Sequence, residues 1–273
     1  MLAGAPAVCF PQDQWQVGLT PSFSSGKYGG DARTEVLYTP ITARRLFDAG
    51  DITLVFPHTC VRGSDSVTVV NGSVIQTSRT GTRETSRIAT RDTRLITADR
   101  SAITSTSPAT LNCGLGDIVV RGRYYLTDGS AWVPTVAVRA HIKAPTASVE
   151  RGLGTGRPDE GIGIEVTQML PRETMIMVDG GYTVIGRPAG IYYNNNWWYD
   201  VGIGQSLARG AVTLSMFFEE YRSIVPGFAN ARDVLAAVTF ARPSGWRIQV
   251  SGEKGLSEGA PDHGFTIGAS RRF

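Results

Sequence analysis

The ten C-terminal residues, GFTIGASRRF, constrain the fold more than any other stretch of this chain. Residues of one parity are apolar and end in an aromatic, namely Phe265, Ile267, Ala269 and the terminal Phe273. The other parity carries small or polar residues. Because side chains on a strand alternate between its two faces, this pattern predicts a strand with one apolar and one polar face. A closing aromatic strand of this kind is typical of barrels that cross a membrane with strands, which are apolar outside and polar inside.

The composition agrees with membrane strands and argues against membrane helices. The chain has 273 residues, with no run of about 18 apolar residues that would make a transmembrane helix. Membrane strands need only segments of about ten residues with alternating hydrophobicity. Glycine is abundant, at 32 residues, and helical periodicity is scarce, which favours an all-β fold. The formal net charge of +3 is too weak to indicate nucleic-acid binding.

Twelve alternating segments follow one another along the chain. They are predicted at 15–25, 34–47, 52–57, 117–126, 133–145, 161–170, 175–186, 197–207, 211–221, 233–240, 246–255 and 264–273. Short turns alternate with longer connections, as in membrane barrels, where the turns are periplasmic and the loops lie outside. We therefore predict a transmembrane antiparallel β-barrel of about 12 strands over residues 15–273. Both termini are expected on the periplasmic side, with residues 1–14 as an N-terminal segment.

The parity of these strands predicts which charged side chains line the lumen. A cation at the lipid midplane costs roughly 2–4 kcal/mol, so charged residues are expected to point inward. This places a basic wall opposite an acidic wall. The basic wall comprises Arg121, Arg123, Arg139, His141 and Lys143, and the acidic wall comprises Glu165, Asp179, Asp200 and Glu219. Such walls indicate either a restricted channel with a selective field or a barrel filled by paired side chains.

A long insert, residues 61–112, interrupts the barrel pattern. Asn71-Gly72 lies between two β-branched runs and predicts a two-residue hairpin. Further on, arginines recur at intervals of four, which keeps them on one face of a strand or helix. They are Arg79, Arg83, Arg87 and Arg91, followed by Arg94. The insert is either a pore constriction that carries this basic ladder, or an outer loop that faces lipopolysaccharide phosphates or solvent.

The three cysteines, Cys9, Cys60 and Cys113, show no metal-ligand spacing. In an oxidising compartment, a disulfide between Cys60 and Cys113 would leave Cys9 free. Three unpaired thiols are the alternative. The sequence predicts no metal site and no cofactor.

Three segments resemble a known family of outer-membrane transporters. They are GLGDIVVRGRYYL from Gly114, AVRAHIKAPTAS from Ala137 and GLGTGRPDEGIGIEVTQ from Gly152. Together they resemble the "MetA-pathway of phenol degradation" family, whose members carry a GLGD strand start, a PTG-like strand end and a GxGTG loop in this order. The chain departs from that pattern at Ala147, where glycine is usual, and in the arginine-rich insert. The resemblance implies an outer-membrane barrel for the passage of small organic or aromatic compounds, without shared catalytic residues.

Three classes of function fit these observations, and the sequence favours a channel. It would let small organic solutes, including aromatic ones, pass passively through a charged, restricted lumen in the outer membrane of a Gram-negative bacterium. Its expected partners are these solutes, outer-membrane lipids, lipopolysaccharide and, through Phe273, the barrel-assembly machinery. The second class is a non-conducting structural or interaction barrel. The third, a membrane-embedded lipid hydrolase, needs a serine within reach of a histidine, and no serine motif accompanies His58, His141 or His263. No enzyme is predicted.

Overall fold

The computed structural model describes residues 14–29, 33–63, 67–70, 73–76, 110–130 and 132–273. The strands are β1 (Gln14–Leu19), β2 (Ser22–Gly26), β3 (Thr34–Phe47), β4 (Gly50–Gly63), β5 (Val67–Val70), β6 (Ser73–Gln76), β7 (Thr110–Leu115), β8 (Ile118–Asp128), β9 (Thr135–Ala144), β10 (Asp159–Leu170), β11 (Thr174–Val184), β12 (Asn196–Leu207), β13 (Val212–Tyr221), β14 (Ala231–Ala241), β15 (Trp246–Gly255) and β16 (His263–Arg272). A 3₁₀ turn at Pro171–Glu173 precedes β11. Within these ranges, no helix is long and apolar enough to span a membrane.

Fourteen of the strands form one sheet that closes on itself. β1 and β2 are two parts of one barrel strand, broken at Thr20-Pro21, and β7 and β8 are two parts of another, broken at Gly116-Asp117. The barrel therefore has 12 strands, and its neighbouring strands pair antiparallel. Both β1 and β2 pair with β16, which closes the cylinder. The predicted fold class, an all-β antiparallel barrel of about 12 strands, is confirmed.

The connections distinguish two ends of the barrel. The short-turn end carries residues 48–49, 129–134, 171–173, 208–211 and 242–245, and the long-loop end carries residues 27–33, 64–109, 145–158, 185–195, 222–230 and 256–262. At the short-turn end the Phe273 N–H donates to the Trp15 carbonyl oxygen over 2.8 Å, so the first and last barrel strands finish side by side. That this end is periplasmic stays a prediction.

The barrel strands beside the insert are longer than the sequence suggested. β4 continues to Gly63 and β7 begins at Thr110, so the insert occupies residues 64–109. Within it, β5 and β6 pair as a separate two-stranded sheet with Val70 opposite Ser73. This register confirms the predicted two-residue hairpin.

The outer surface of the barrel is an apolar belt. On β16, Phe265 and Ile267 are exposed, and Ile267 keeps 49% of its surface accessible. Gly268, on the inward face of the same strand, is buried. The other barrel strands show the same alternation. A contiguous apolar surface of this extent is unusual on a water-soluble monomer, but it is what membrane-spanning strands present to lipid.

One cation, Arg271, lies on this outward face close to the end of β16. Its guanidinium carbon is 5.6 Å from the centre of the Trp246 ring and 5.0 Å from that of Phe273. Cation–π contacts of this kind stabilise a cation beside an aromatic face. Arg271 therefore packs between the aromatic residues at the short-turn rim.

Candidate functional site: the lumen and its folded-in loop

The nine side chains predicted to line the lumen all lie on the inward face of β8 to β13. Their neighbours in the chain, such as Val120, Tyr124 and Ile142, are exposed on the outer belt. The inner wall therefore collects the charges, and the outer wall collects the apolar residues. This division follows from the alternation of side chains along each strand.

The basic set adjoins the nearer members of the acidic set, Glu165 and Asp179, in one continuous wall. Arg123 Nη2 lies 3.1 Å from Glu165 Oε2, and Arg139 forms ion pairs with Glu165 and Asp179. These residues belong to β8, β9, β10 and β11, which are adjacent in the sheet. Strand parity indicated the face of each side chain but left its partner undetermined.

Sequence reasoning missed two members of this network, Arg44 and Asp51. They form an ion pair between β3 and β4, and Asp51 Oδ2 also lies 3.9 Å from Arg123 Nε. The outward positions of Ile52 and Phe56 on β4 would have placed Asp51 inward. A cavity of about 250 Å³ lies beside this cluster.

Carboxylates face one another on five successive strands. In the register, Glu165 lies opposite Asp179, Asp179 opposite Asp200, Asp200 opposite Glu219, and Glu219 opposite Asp233. We call this row the carboxylate ladder. Like charges directly opposite on neighbouring strands repel each other. Arg139 compensates the first two members, but in the described ranges the last three form no ion pair. The ladder thus leaves the carboxyl groups of Asp200, Glu219 and Asp233 on β12 to β14 without a cationic partner among the described residues.

Glycines keep two bulky rings flat against the inner wall. The Trp198 indole is buried, and a Cβ atom at Gly181 would lie 2.8 Å from its Cζ2 atom. The His141 imidazole occupies the corresponding space over Gly161. Arg139 stacks on Trp198, with 5.2 Å between its guanidinium carbon and the ring centre. The rings therefore line this wall without projecting far from it.

The connection between β9 and β10, residues 145–158, folds into the long-loop end of the lumen. Leu153 and Ala147 pack against Val36 and Val61, which lie on the inward faces of β3 and β4. Leu153 is only 4% exposed. The loop thus crosses the inner side of β7 and β8 to reach the strands beyond them, and it narrows the lumen at this level.

A buried ion triad ties down the base of this loop. Lys143 Nζ lies 3.1 Å from Asp117 Oδ2, 2.6 Å from Asp159 Oδ2 and 3.4 Å from Thr155 Oγ1. The remaining carboxylate oxygens accept backbone hydrogen bonds, since Asp117 Oδ1 binds the Ala147 N–H and Asp159 Oδ1 binds a second amide, both over 2.9 Å. Buried charges are stable only when paired and hydrogen-bonded in this way.

The three segments that carry the family resemblance meet at this triad. Asp117 ends the GLGD segment, Ala147 follows Pro-Thr in the second, and Thr155 belongs to the third. Gly154 permits close packing, because a Cβ atom there would lie 2.8 Å from Ala147 Cβ and 2.9 Å from Asp117 Oδ2. These motif residues therefore build the folded-in loop. Lys143 had been expected in an open basic wall, whereas the structure buries it.

The turn at the tip of the loop is stabilised by its own polar groups. The Ser148 hydroxyl donates to Glu150 Oε2 over 2.9 Å and accepts the Arg151 N–H over 3.3 Å. A backbone hydrogen bond and the Ser148 hydroxyl together lower the pKa of the exposed Glu150 carboxyl. Glu150 is therefore ionised at neutral pH, on the side of the loop that faces water.

A disulfide joins Cys60 on β4 to Cys113 on β7, directly opposite each other in the register. It lies on the outward face and connects the two strands that flank the insert. Cys9 and the arginine ladder (Arg79, Arg83, Arg87, Arg91 and Arg94) lie outside the described residues.

In the part of the chain that the structure describes, no histidine forms a hydrogen bond with a serine hydroxyl. His263 faces Ser25 in the register of β16 and β2, but the Ser25 hydroxyl accepts a hydrogen bond from Arg33. His58 lies on the outward face of β4 opposite Leu115. His141 Nε2 lies 3.4 Å from Thr183 Oγ1 inside the barrel. The same residues contain no cluster of three or more potential metal ligands.

Solved structures place this fold among outer-membrane barrels. An outer membrane channel from Pseudomonas putida F1 aligns over 100% of both chains, with a TM-score of 0.62 and 11% identity. The NanC porin aligns over 93% of this chain and 98% of its own, with a TM-score of 0.50 and 9% identity. At such identities the likeness shows the fold alone. The sequence matches no protein-family model and no curated protein, so membership of the MetA-pathway family is not confirmed.

Proposed function

We propose that this chain is an outer-membrane channel through which small organic solutes pass passively. The observation that carries the proposal is an apolar outer belt and a charged inner wall on one closed cylinder. A closed barrel satisfies every backbone hydrogen bond in lipid, and its apolar belt is stable there. Inside, the Asp233 carboxylate, which has no partner among the described residues, needs water, because burial without a partner is costly. The fold shared with an outer membrane channel supports this reading.

The passage is restricted in size. Twelve strands enclose more space than the filled eight-stranded barrels and less than the 16- to 18-stranded porins. Loop 145–158 narrows this space further at the long-loop end. We infer that the solutes are small. That they include aromatic compounds, and that the chain belongs to the MetA-pathway family, rests on the resemblance over Gly114 to Gln168.

The orientation and lipid partners belong to the same proposal. The short-turn end would be periplasmic, and the barrel-assembly machinery would recognise Phe273. Three arginines at the long-loop end, Arg33, Arg62 and Arg232, have side chains more than half accessible, and each is paired with one carboxylate. Guanidinium groups bind phosphate oxygens well, which fits contact with lipopolysaccharide at this rim.

Single-channel recording in planar bilayers tests the channel. We expect discrete conductance steps from the purified, folded protein. Deleting residues 65–108 should enlarge the steps if the arginine-rich insert constricts the pore, and should leave them unchanged if the insert lies outside. Folded protein that gives no steps at any voltage would contradict the proposal.

A non-conducting barrel is the second candidate, and the ion pairing of inward side chains favours it. Arg44 with Asp51 and Arg123 with Glu165 fill part of the interior. An absence of steps would support this reading. Hydrolysis of labelled phospholipid that is lost in His263→Ala would instead support an enzyme.

A further inference from the structure

A second cavity, of about 350 Å³, opens at the short-turn end of the lumen. Three arginines line it, Arg242, Arg247 and Arg272, together with Gln14 and Gln16. None of the three arginines forms an ion pair with any residue in the described ranges. By contrast, Arg44, Arg123 and Arg139 further inside the barrel are paired. The cavity therefore concentrates positive charge that has no acidic partner among the described residues.

The strand register holds these groups on one side of the mouth. Arg272 of β16 lies opposite Gln16 of β1, and Arg247 of β15 lies opposite Ser270. Gln16 Nε2 donates to Ser270 Oγ over 2.8 Å, which fixes the amide against β16, the strand that carries Arg272. At the rim, the Arg242 N–H donates to the Trp246 carbonyl over 2.8 Å and so anchors the turn that carries the third arginine.

The chemistry of this lining selects an oxyanion with an apolar body. Guanidinium groups remain charged at any physiological pH, and they bind carboxylates through two parallel hydrogen bonds. The rest of the lining includes apolar surface from Ala241 and Pro243. An inorganic anion would leave that surface unused. A carboxylate attached to a short aliphatic or aromatic group would contact both parts.

We propose that the short-turn mouth binds small organic carboxylates through Arg247 and Arg272, with Arg242 at the rim. This deepens the proposed function, on which it rests, by naming a class of solute that the channel would hold at this end. Binding to the mouth does not require conduction. The site and the channel can therefore fail separately in experiment.

Isothermal titration calorimetry with benzoate on the detergent-solubilised full chain tests the site. The wild type should bind benzoate, and Arg247→Gln/Arg272→Gln should weaken binding by about tenfold or more, because two charge-assisted contacts are lost. The matched control is Arg271→Gln, which removes a neighbouring arginine on the outward face and should leave binding unchanged. Equal binding by the wild type and the double variant would overturn the site.

Two further ligands test the proposed chemistry. Benzyl alcohol, which lacks the charge, should bind far more weakly than benzoate, and so should inorganic phosphate, which lacks the apolar body. Phosphate binding as tight as benzoate binding would refute the organic class.

The folding of each variant is checked by the electrophoretic shift between unheated and heated protein. If the glutamine variant does not fold, Arg247→Lys/Arg272→Lys replaces it. This variant keeps the charge and loses the paired hydrogen bonds, so it should weaken benzoate binding severalfold, and unchanged binding would count against the site. Benzoate binding without conductance steps would contradict the proposed channel and support the carboxylate site. Conductance steps without benzoate binding would support the channel and contradict the site.

Discussion

Lys143 Nζ lies 2.6 Å from Asp159 Oδ2, and Lys143 keeps only 1% of its surface exposed. The two residues are also opposite each other in the register of β9 and β10. The pair therefore joins the two strands at the point where the chain leaves the wall and enters the lumen. The position of loop 145–158 depends on this contact, since a buried charge without its partner is strongly destabilising.

Replacing Lys143 should release the loop. In Lys143→Met the carboxylates of Asp117 and Asp159 lose their counter-charge, at a cost of roughly 3–5 kcal/mol while they stay buried. Moving the loop into water relieves that cost, so we expect larger single-channel conductance steps. Lys254→Met, which removes a lysine from the outward face of β15, is the control and should not change them. Unchanged steps in folded Lys143→Met would show that the loop does not limit the passage.

The close packing at Gly154 makes a smaller change informative. In Gly154→Ala the added methyl group would lie 2.8 Å from Ala147 Cβ, so the loop must shift. Overpacking of this kind typically costs about 1–3 kcal/mol. We expect a lower urea concentration at the midpoint of unfolding and larger fluctuations of the current through the open channel. Gly252→Ala adds the same group where nothing lies within 4 Å and should behave like the wild type.

The carboxylate ladder should make the lumen prefer cations. A permeating ion about 4 Å from one unit charge in water interacts with it by about 1 kcal/mol, which changes the local concentration of that ion roughly fivefold. Glu219→Gln/Asp233→Asn should therefore lower the cation-to-anion permeability ratio, measured from the reversal potential in a salt gradient. Glu160→Gln, on the outward face, serves as control. A ratio that stays the same in the double variant would mean that permeating ions do not approach the ladder.

Loss of the disulfide should lower stability. Cys60 and Cys113 are 53 residues apart in sequence, and closing a loop of that length contributes about 4 kcal/mol in the chain-entropy model. Cys60→Ser/Cys113→Ser should lower the free energy of unfolding in urea, and a reductant should do the same to the wild type. Cys9→Ser should have no effect of this size. Equal stability of oxidised and reduced protein would contradict the expectation.

A charge on the apolar belt should be tolerated far less than the same charge inside. Ile267 faces outward near the middle of β16, so Ile267→Arg should cost roughly 2–4 kcal/mol in a bilayer. Thr266→Arg points into the lumen, where it should alter ion selectivity with a smaller loss of stability. Folding yield into lipid vesicles measures both. Similar yields for the two variants would argue against the assigned belt.

The alternation of side chains made the barrel predictable from the sequence. Phe265 and Ile267 alternate with Thr266 and Gly268, and such alternation over ten residues indicates a β-strand with one apolar face. The same parity assigned Arg139 and Glu165 to the inner wall. It could not show that they are ion-paired, because pairing depends on strand order, stagger and rotamers, which parity does not encode.

The position of loop 145–158 inside the lumen could not be predicted from strand parity either, for a different reason. Lys143 shares its parity with Arg139, so both were expected in the same wall. Only the path of loop 145–158, which brings Leu153 over Val36, buries one and leaves the other at the lumen. That path is set by contacts distant in sequence, and local patterns carry little information about them.

The closure of the cylinder has a consequence for biogenesis. β16 is bonded on one side to β15 and on the other to β1 and β2. Without β16, both margins of the sheet would lack partners, and an open sheet edge is not stable in hydrocarbon. A chain without β16 would therefore leave an unclosed sheet and would not form a smaller pore.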